Sequence, residues 1–192
     1  GLPFIILFLL LIGASLTCSF GNNSVCVAKG TSSSDVTACE KSSISLAQDC
    51  YREFAKRLND PNVCNDIERL QHYGICLRAF ILEKEGDLTT NVCDSAPDNK
   101  INTCYRFLGK AKKDPTICEK ISENDKYNLH NCYSEIAGMT GDVSLCEKIF
   151  NRAGKGNCYI RIAEFTKDAS YCEKATAGNK EYCYNQVERL SS

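Results

Sequence analysis

A pair of cysteines returns six times along this chain at a step of 25 to 29 residues, and that period constrains the fold more than any other feature. The first cysteine of each unit stands at Cys39, Cys64, Cys93, Cys118, Cys146 and Cys172, usually four residues beyond an aspartate and usually before Glu-Lys. The second follows 11 to 14 residues later, at Cys50, Cys76, Cys104, Cys132, Cys158 and Cys183, usually before tyrosine. Self-similarity at such a period is the mark of stacked supersecondary units. The third unit departs from the pattern, with Asp87 six residues before Cys93 and no Glu-Lys after it.

The chemistry within a unit predicts two helices. Asp60-Pro61 and Asp114-Pro115 place a capping acceptor before a proline at the first helical position, where no backbone donor is needed. Leu145, Cys146 and Ile149 share one face of the first helix. Cys132, Tyr133, Ile136 and Ala137 repeat that stripe on a second helix, as do Cys158, Tyr159, Ile162 and Ala163. Gly141, Gly154 and Gly156 read as stop signals between helices. Sustained two-residue alternation is missing after residue 35, so the expected fold is all-α: a disulfide-stapled helical-hairpin solenoid with an N-terminal apolar helix. Its expected parts are an apolar helix at 1–17, a polar linker at 18–34 and a six-repeat α-hairpin solenoid at 35–192.

Helices of roughly 7 and 12 residues bury too little apolar surface to persist alone, so the cysteines are expected to staple them. Two regular pairings of the 14 cysteines exist. One joins each unit internally: Cys39–Cys50, Cys64–Cys76, Cys93–Cys104, Cys118–Cys132, Cys146–Cys158 and Cys172–Cys183, with Cys18–Cys26 completing the set. The other bridges successive units (Cys50–Cys64 and so on) and strands Cys39 and Cys183 at opposite ends. The internal scheme is the one expected. Metal binding is not: the chain has no Cys-x-x-Cys and only His72 and His130. No cofactor is expected either.

Residues Leu2 to Ile12 are uninterrupted apolar. The stretch to Leu16 spans roughly 22 Å as helix, short of the ~30 Å hydrocarbon core. Such a run is ordinarily the apolar region of a secretory signal. Here it begins at Gly1 with no methionine or basic residue before it, and the expectation is a chain cut just upstream that keeps its apolar end. Gly1-Leu2-Pro3-Phe4-Ile5-Ile6-Leu7-Phe8 and the residues to Ile12 resemble the start of type IV pilin-like proteins, including archaeal pilins and flagellins. The run is shorter than is usual there, and Ile5 stands where bacterial pilins carry glutamate. The Cys-Tyr and Asp-x-x-x-Cys-Glu-Lys repeats resemble cysteine-rich helical repeats of archaeal surface proteins and, more distantly, disulfide-bridged tetratricopeptide-like repeats. These resemblances imply a surface filament built on a helical scaffold. Ser15-Leu16-Thr17-Cys18 makes a poor lipoprotein processing site, and lipid on Cys18 would leave Cys26 unpaired.

With 23 basic and 24 acidic residues interspersed, net charge −1, the chain has no electrostatic footprint for nucleic acid. Lys110, Lys112 and Lys113 read as a solvated face, and Asn22 in Asn22-Asn23-Ser24 as a candidate glycosylation acceptor. The cysteines imply an oxidising, extracellular or cell-surface setting. The expected function is a structural subunit of an extracellular filament. It would polymerise with copies of itself through Phe4, Ile5, Ile6, Leu7, Phe8, Leu9, Leu10 and Leu11, and meet a membrane only before assembly. The alternative is a membrane-anchored binding module that uses the solenoid surface for protein recognition. Tyr51, Tyr105, Tyr133, Tyr159 and Tyr184 follow the second cysteines in register and read as core packing more readily than as a binding ladder. Glu119 and Glu147 read as solubilising helix residues, His72 and His130 as satisfied or exposed. No catalytic set is expected, and the chain is not expected to be an enzyme.

Overall fold

Each unit of the repeat folds as a short helical turn followed by a long α-helix in the computed structural model, which describes residues 36–41, 43–58, 60–84 and 91–192. The turns are Val36–Lys41, Pro61–Asp66, Asn91–Asp94, Pro115–Cys118, Ser144–Glu147 and Ala169–Lys174. The long helices are α1 (Ile44–Arg57), α2 (Leu70–Glu83), α3 (Asp98–Lys112), α4 (Lys126–Thr140), α5 (Arg152–Thr166) and α6 (Lys180–Ser191). No strand occurs among the described residues. The fold is therefore all-helical and repeat-like. The expected N-terminal helix at 1–17 and the linker at 18–34 lie outside the described residues.

The aspartate before four of the short turns works as an Asx cap. Asp114 Oδ1 accepts from the Thr116 amide at 2.9 Å and its hydroxyl at 2.7 Å. Asp142 Oδ1 does the same with Ser144, at 3.0 and 2.6 Å. Asp60 and Asp168 accept from the amides of Asn62 and Ser170 at 2.9 Å. A side-chain acceptor two residues ahead of a free amide satisfies a donor that a four-to-six-residue turn cannot satisfy internally. Three of these aspartates follow a left-handed residue that ends the preceding long helix: Lys113 (φ 52°), Gly141 (φ 75°) and Lys167 (φ 58°). Glycine meets this geometry freely, as expected at Gly141; the two lysines hold it at a steric cost of about 1 kcal/mol. Lys113 is thus a helix terminator and not simply part of a solvated basic run.

Six disulfides join turn to helix within the units: Cys39–Cys50, Cys64–Cys76, Cys93–Cys104, Cys118–Cys132, Cys146–Cys158 and Cys172–Cys183. Their Cα atoms stand 5.4 to 5.9 Å apart, and all twelve cysteines are buried. Closing loops of this length stabilises by about 3 kcal/mol each in the chain-entropy account. Bonds of this number belong to an oxidising environment. Cys18 and Cys26 lie outside the described residues.

Each long helix packs on the next, α1 on α2 through α5 on α6. The stripes read from sequence are the buried ones: Cys132, Tyr133, Ile136 and Ala137 on α4, and Cys158, Tyr159, Ile162 and Ala163 on α5. One core runs from Val36 to Ile162, and a smaller one around Cys172, Cys183 and Val187 attaches the last unit to α5.

Two glycines correct the sequence reading. Gly154 and Gly156 do not separate helices; both lie inside the first turns of α5. The cap is Asn151, whose Oδ1 accepts from Gly154 N–H. Gly156 is buried where a Cβ would stand 3.0 Å from the Thr176 backbone nitrogen, so the absent side chain lets the last unit close on α5. Alanine favours a helix over glycine by about 1 kcal/mol, whereas forcing a methyl into a filled contact costs roughly 1–3 kcal/mol. Gly156→Ala is accordingly expected to lower stability by about 1 kcal/mol, read as a reduced denaturant midpoint with the disulfides intact. A raised midpoint would show that propensity wins and the contact is slack.

Candidate functional site

Two surfaces of the repeat carry organised chemistry: the seams between units and the outer face of the long helices. Each seam brings a tyrosine of one unit against a basic side chain of the next. Lys120 Nζ stands 5.5 Å from the ring centroid of Tyr105, Lys148 5.2 Å from Tyr133 and Lys174 4.7 Å from Tyr159. These are the lysines of the Glu-Lys phrase, and the tyrosines are those that follow the second cysteine of the unit before.

The other two seams reach the same arrangement with different residues. In the second unit the tyrosine is Tyr73, three residues before Cys76. Its partner is Lys100 of α3, at 5.4 Å, which also donates to the Asn65 carbonyl at 2.6 Å. In the first seam Tyr51 meets His72 edge-on, with hydroxyl to Nδ1 3.2 Å.

In the last two units the glutamate of the phrase works within its own unit. Tyr159 donates its hydroxyl to Glu147, Tyr184 to Glu173, and Tyr105 to Asp94, which takes the glutamate's place in the degenerate third unit. Burial first, and then the adjoining carboxylate, push the Tyr105 and Tyr159 hydroxyls up to about 12, so both remain donors. Glu147 is held below the ordinary carboxylate range by Tyr159 and Lys155, and Glu173 by Lys180 and Tyr184. Glu119 instead pairs across its seam with Lys148 at 2.9 Å. The reading of Glu119 and Glu147 as solubilising residues is therefore too weak: each is a tie in the repeat. Tyr51, Tyr105, Tyr133 and Tyr159 are buried as expected, and Tyr184 is partly exposed.

The second surface is a row of grooves along the outer face. Arg78 and Leu82 line both the groove between α1 and α2 and the one that α2 forms with α3 and α4. Lys110 and Met139 line both that groove and the next, and Arg161 and Glu164 carry the row on toward α6. Seven residues beyond the second cysteine of four successive units stand Ala111, Met139, Phe165 and Leu190. None of the four is fully buried, and Phe165 is 52% exposed. Beneath this row Arg106 clamps Glu135, through NH2 to Oε1 at 2.8 Å and Nε to Oε2 at 3.3 Å, and Lys110 joins from 3.4 Å. Burial would raise the Glu135 carboxyl; Arg106 and then Lys110 outweigh it and hold the group below its ordinary range.

The histidines are structural. His72 is buried between α1 and α2; burial, then the charge of Arg69, lowers its pKa against a small opposing effect of Glu40. His130 Nδ1 lies 2.7 Å from the Asn151 amide nitrogen, while Asn151 Oδ1 caps α5. That geometry suits a neutral imidazole accepting at Nδ1, and burial followed by Lys126 lowers its pKa. No group of three or more His, Cys, Asp or Glu among the described residues is arranged to hold a metal ion. No helix among them is long and apolar enough to cross a membrane. Phe4 to Leu11, Asn22, Cys18 and Cys26 lie outside the described residues.

No protein-family model matches this chain, and no curated protein or solved structure matches it.

The seams make a stability prediction. A cation over an aromatic face contributes roughly 0.5–1 kcal/mol at a partly exposed site. Lys174→Met should lower stability by about that amount and Lys174→Arg should restore it, with the methionine effect vanishing in a Tyr159→Leu background; denaturant titration of the five proteins, native chain and double variant included, measures the coupling. The histidines make a second. Their pKa values lie lower in the folded state than the ordinary 6.5, so the unfolded chain binds more protons below that pH. Stability is expected to be level above pH 6.5 and to fall from there down through the lowered values, ahead of any loss from the carboxylates. Denaturant midpoints at pH 7.5 and 5.5 should differ for the native protein and converge in a His72→Gln/His130→Gln variant.

Proposed function

We propose that this chain is a non-catalytic structural subunit of an extracellular, pilus-like filament. In this reading the six units stack as a solenoid, and the apolar segment of residues 1–17 packs into neighbouring copies. The observation that carries it is the uncharged run from Leu2 to Ile12, joined to a body stapled by six disulfides. Eleven consecutive apolar residues are costly in water, and the run is short for a bilayer. Burying five or six of its large side chains would stabilise a subunit contact by roughly 10 kcal/mol before entropy costs. The body supports the reading in two ways. Its substantial contacts run between sequence neighbours, the nearest-neighbour pattern of stacked repeats. Its outer face exposes an apolar row that a copy could cover. A contact between unlike surfaces that does not close builds a helical polymer.

The alternative, a surface module anchored by the same segment, is favoured by the row of grooves, since repeat scaffolds present extended recognition surfaces. The two readings separate in detergent-free buffer. The filament reading expects pelleting at high speed and regular polymers by electron microscopy, with neither lipid nor detergent required. Discrete monomers, or material that partitions wholly into detergent, would remove it in favour of the anchored module.

A further inference from the structure

The groove that α2 forms with α3 and α4 differs from the others in the row. Its floor is Ile81, Leu82, Phe107, Ala111 and Met139, with Arg78 and Lys110 at its edge and no acidic residue in its lining. Its volume is about 220 Å³. A cavity of about 150 Å³ takes a benzene-sized group, so this one accepts a phenyl ring with space for part of an aliphatic neighbour. Lys110 is turned to Glu135, leaving its methylene stem along the wall. The groove is thus an apolar socket in a row otherwise edged by Gln48 and Arg52 toward α1 and by Glu164, Asn157 and Asn179 toward α6.

We propose that this socket receives the segment Leu2–Ile12 of a neighbouring copy, with Phe4 or Phe8 as the inserted anchor. The inference rests on the filament reading and names the surface that reading requires. Three observations commit it to this occupant. The segment is the wholly apolar part of the one long uncharged stretch of the sequence, residues 1–28, so it meets the socket without stranding an ion or a polar side chain. Phe4, Phe8 and Leu11 stand at the i, i+4, i+7 spacing by which apolar anchors enter a groove between helices. The third is reach. The 23 residues from 13 to 35 that separate the segment from the body are mostly small and polar, and with the expected Cys18–Cys26 bridge closed their length still allows a span of up to about 60 Å. Packed helices lie about 8–10 Å apart, so the tether reaches an adjacent copy's socket without straining the stapled units.

The test places a photoreactive side chain, Phe8→p-benzoylphenylalanine, in the full chain, irradiates the assembled material and maps the products by mass spectrometry. The proposal expects covalent dimers and higher multimers whose cross-links fall on Leu82, Phe107, Ala111 or Met139. Leu82 is 53% exposed and Ala111 is exposed, so Leu82→Glu and Ala111→Glu spare the core. Each should cut the pelleted fraction at least tenfold with the helical circular dichroism unchanged. Phe150→Glu, at a side chain 78% exposed away from this groove, should not. Polymers whose cross-links map elsewhere, or that form equally well with Leu82→Glu and Ala111→Glu, overturn the socket while leaving the filament reading standing. Cross-links to the socket within single chains overturn the exchange between copies. Material that forms no polymer at all removes the filament reading, and this inference with it.

Discussion

A turn of four to six residues cannot hold itself in water, and every unit of this fold begins with one. The bond from the first cysteine to the second makes the arrangement tenable. It fastens the turn to the middle of a helix long enough to pack on its neighbours, and it does so from a buried position where the sulfurs also serve as core. The aspartate caps, the left-handed helix ends and the apolar stripes all assume that fastening. Without it the caps would secure turns attached to nothing, since a single hydrogen bond contributes only about 1 kcal/mol net.

Between units the restraint is softer and built from a different material. A tyrosine on one side and a lysine or histidine on the other meet at all five seams, although two of them recruit residues from other positions. In units three and five the tyrosine also satisfies its hydroxyl on a carboxylate, so one side chain belongs to the core, to its own unit and to the seam; Tyr184 makes the same bond in unit six from an exposed position. In units four, five and six the acids and bases of the repeated phrase hold positions in the repeat, each against a named partner. Every buried side-chain nitrogen and oxygen among the described residues has a hydrogen-bond partner.

The helical class, the unit boundaries and the internal pairing of twelve cysteines were legible in the sequence because spacing alone encodes them. The seams were not. Lys120, Lys148 and Lys174 recur as plainly as the cysteines, but recurrence says that a residue has a role without saying whom it meets, and their partners lie one unit upstream. Lys100 and Tyr73 carry no register signal at all. Gly156 was misread for a related reason. Glycine before a cysteine looks like a stop until the Thr176 backbone is seen pressed against it, and that closeness is a tertiary fact. The apolar groove had one readable trace, the row Ala111, Met139, Phe165 and Leu190. That row lies off the buried stripe, where spacing alone does not distinguish a groove lining from ordinary exposed side chains.

The internal cysteine bonds also set how this protein meets a pulling force. Tension applied along the chain passes through each disulfide and bypasses the 10 to 13 residues between its cysteines. Between Cys39 and Cys183 close to half of the backbone is thereby withheld from extension, at ~3.5 Å of contour per residue. Only the 14 to 17 residue steps from each bridge to the next can pay out, so a load that parts every seam still leaves six closed loops, each keeping its turn tied to its own helix segment when the strain is released.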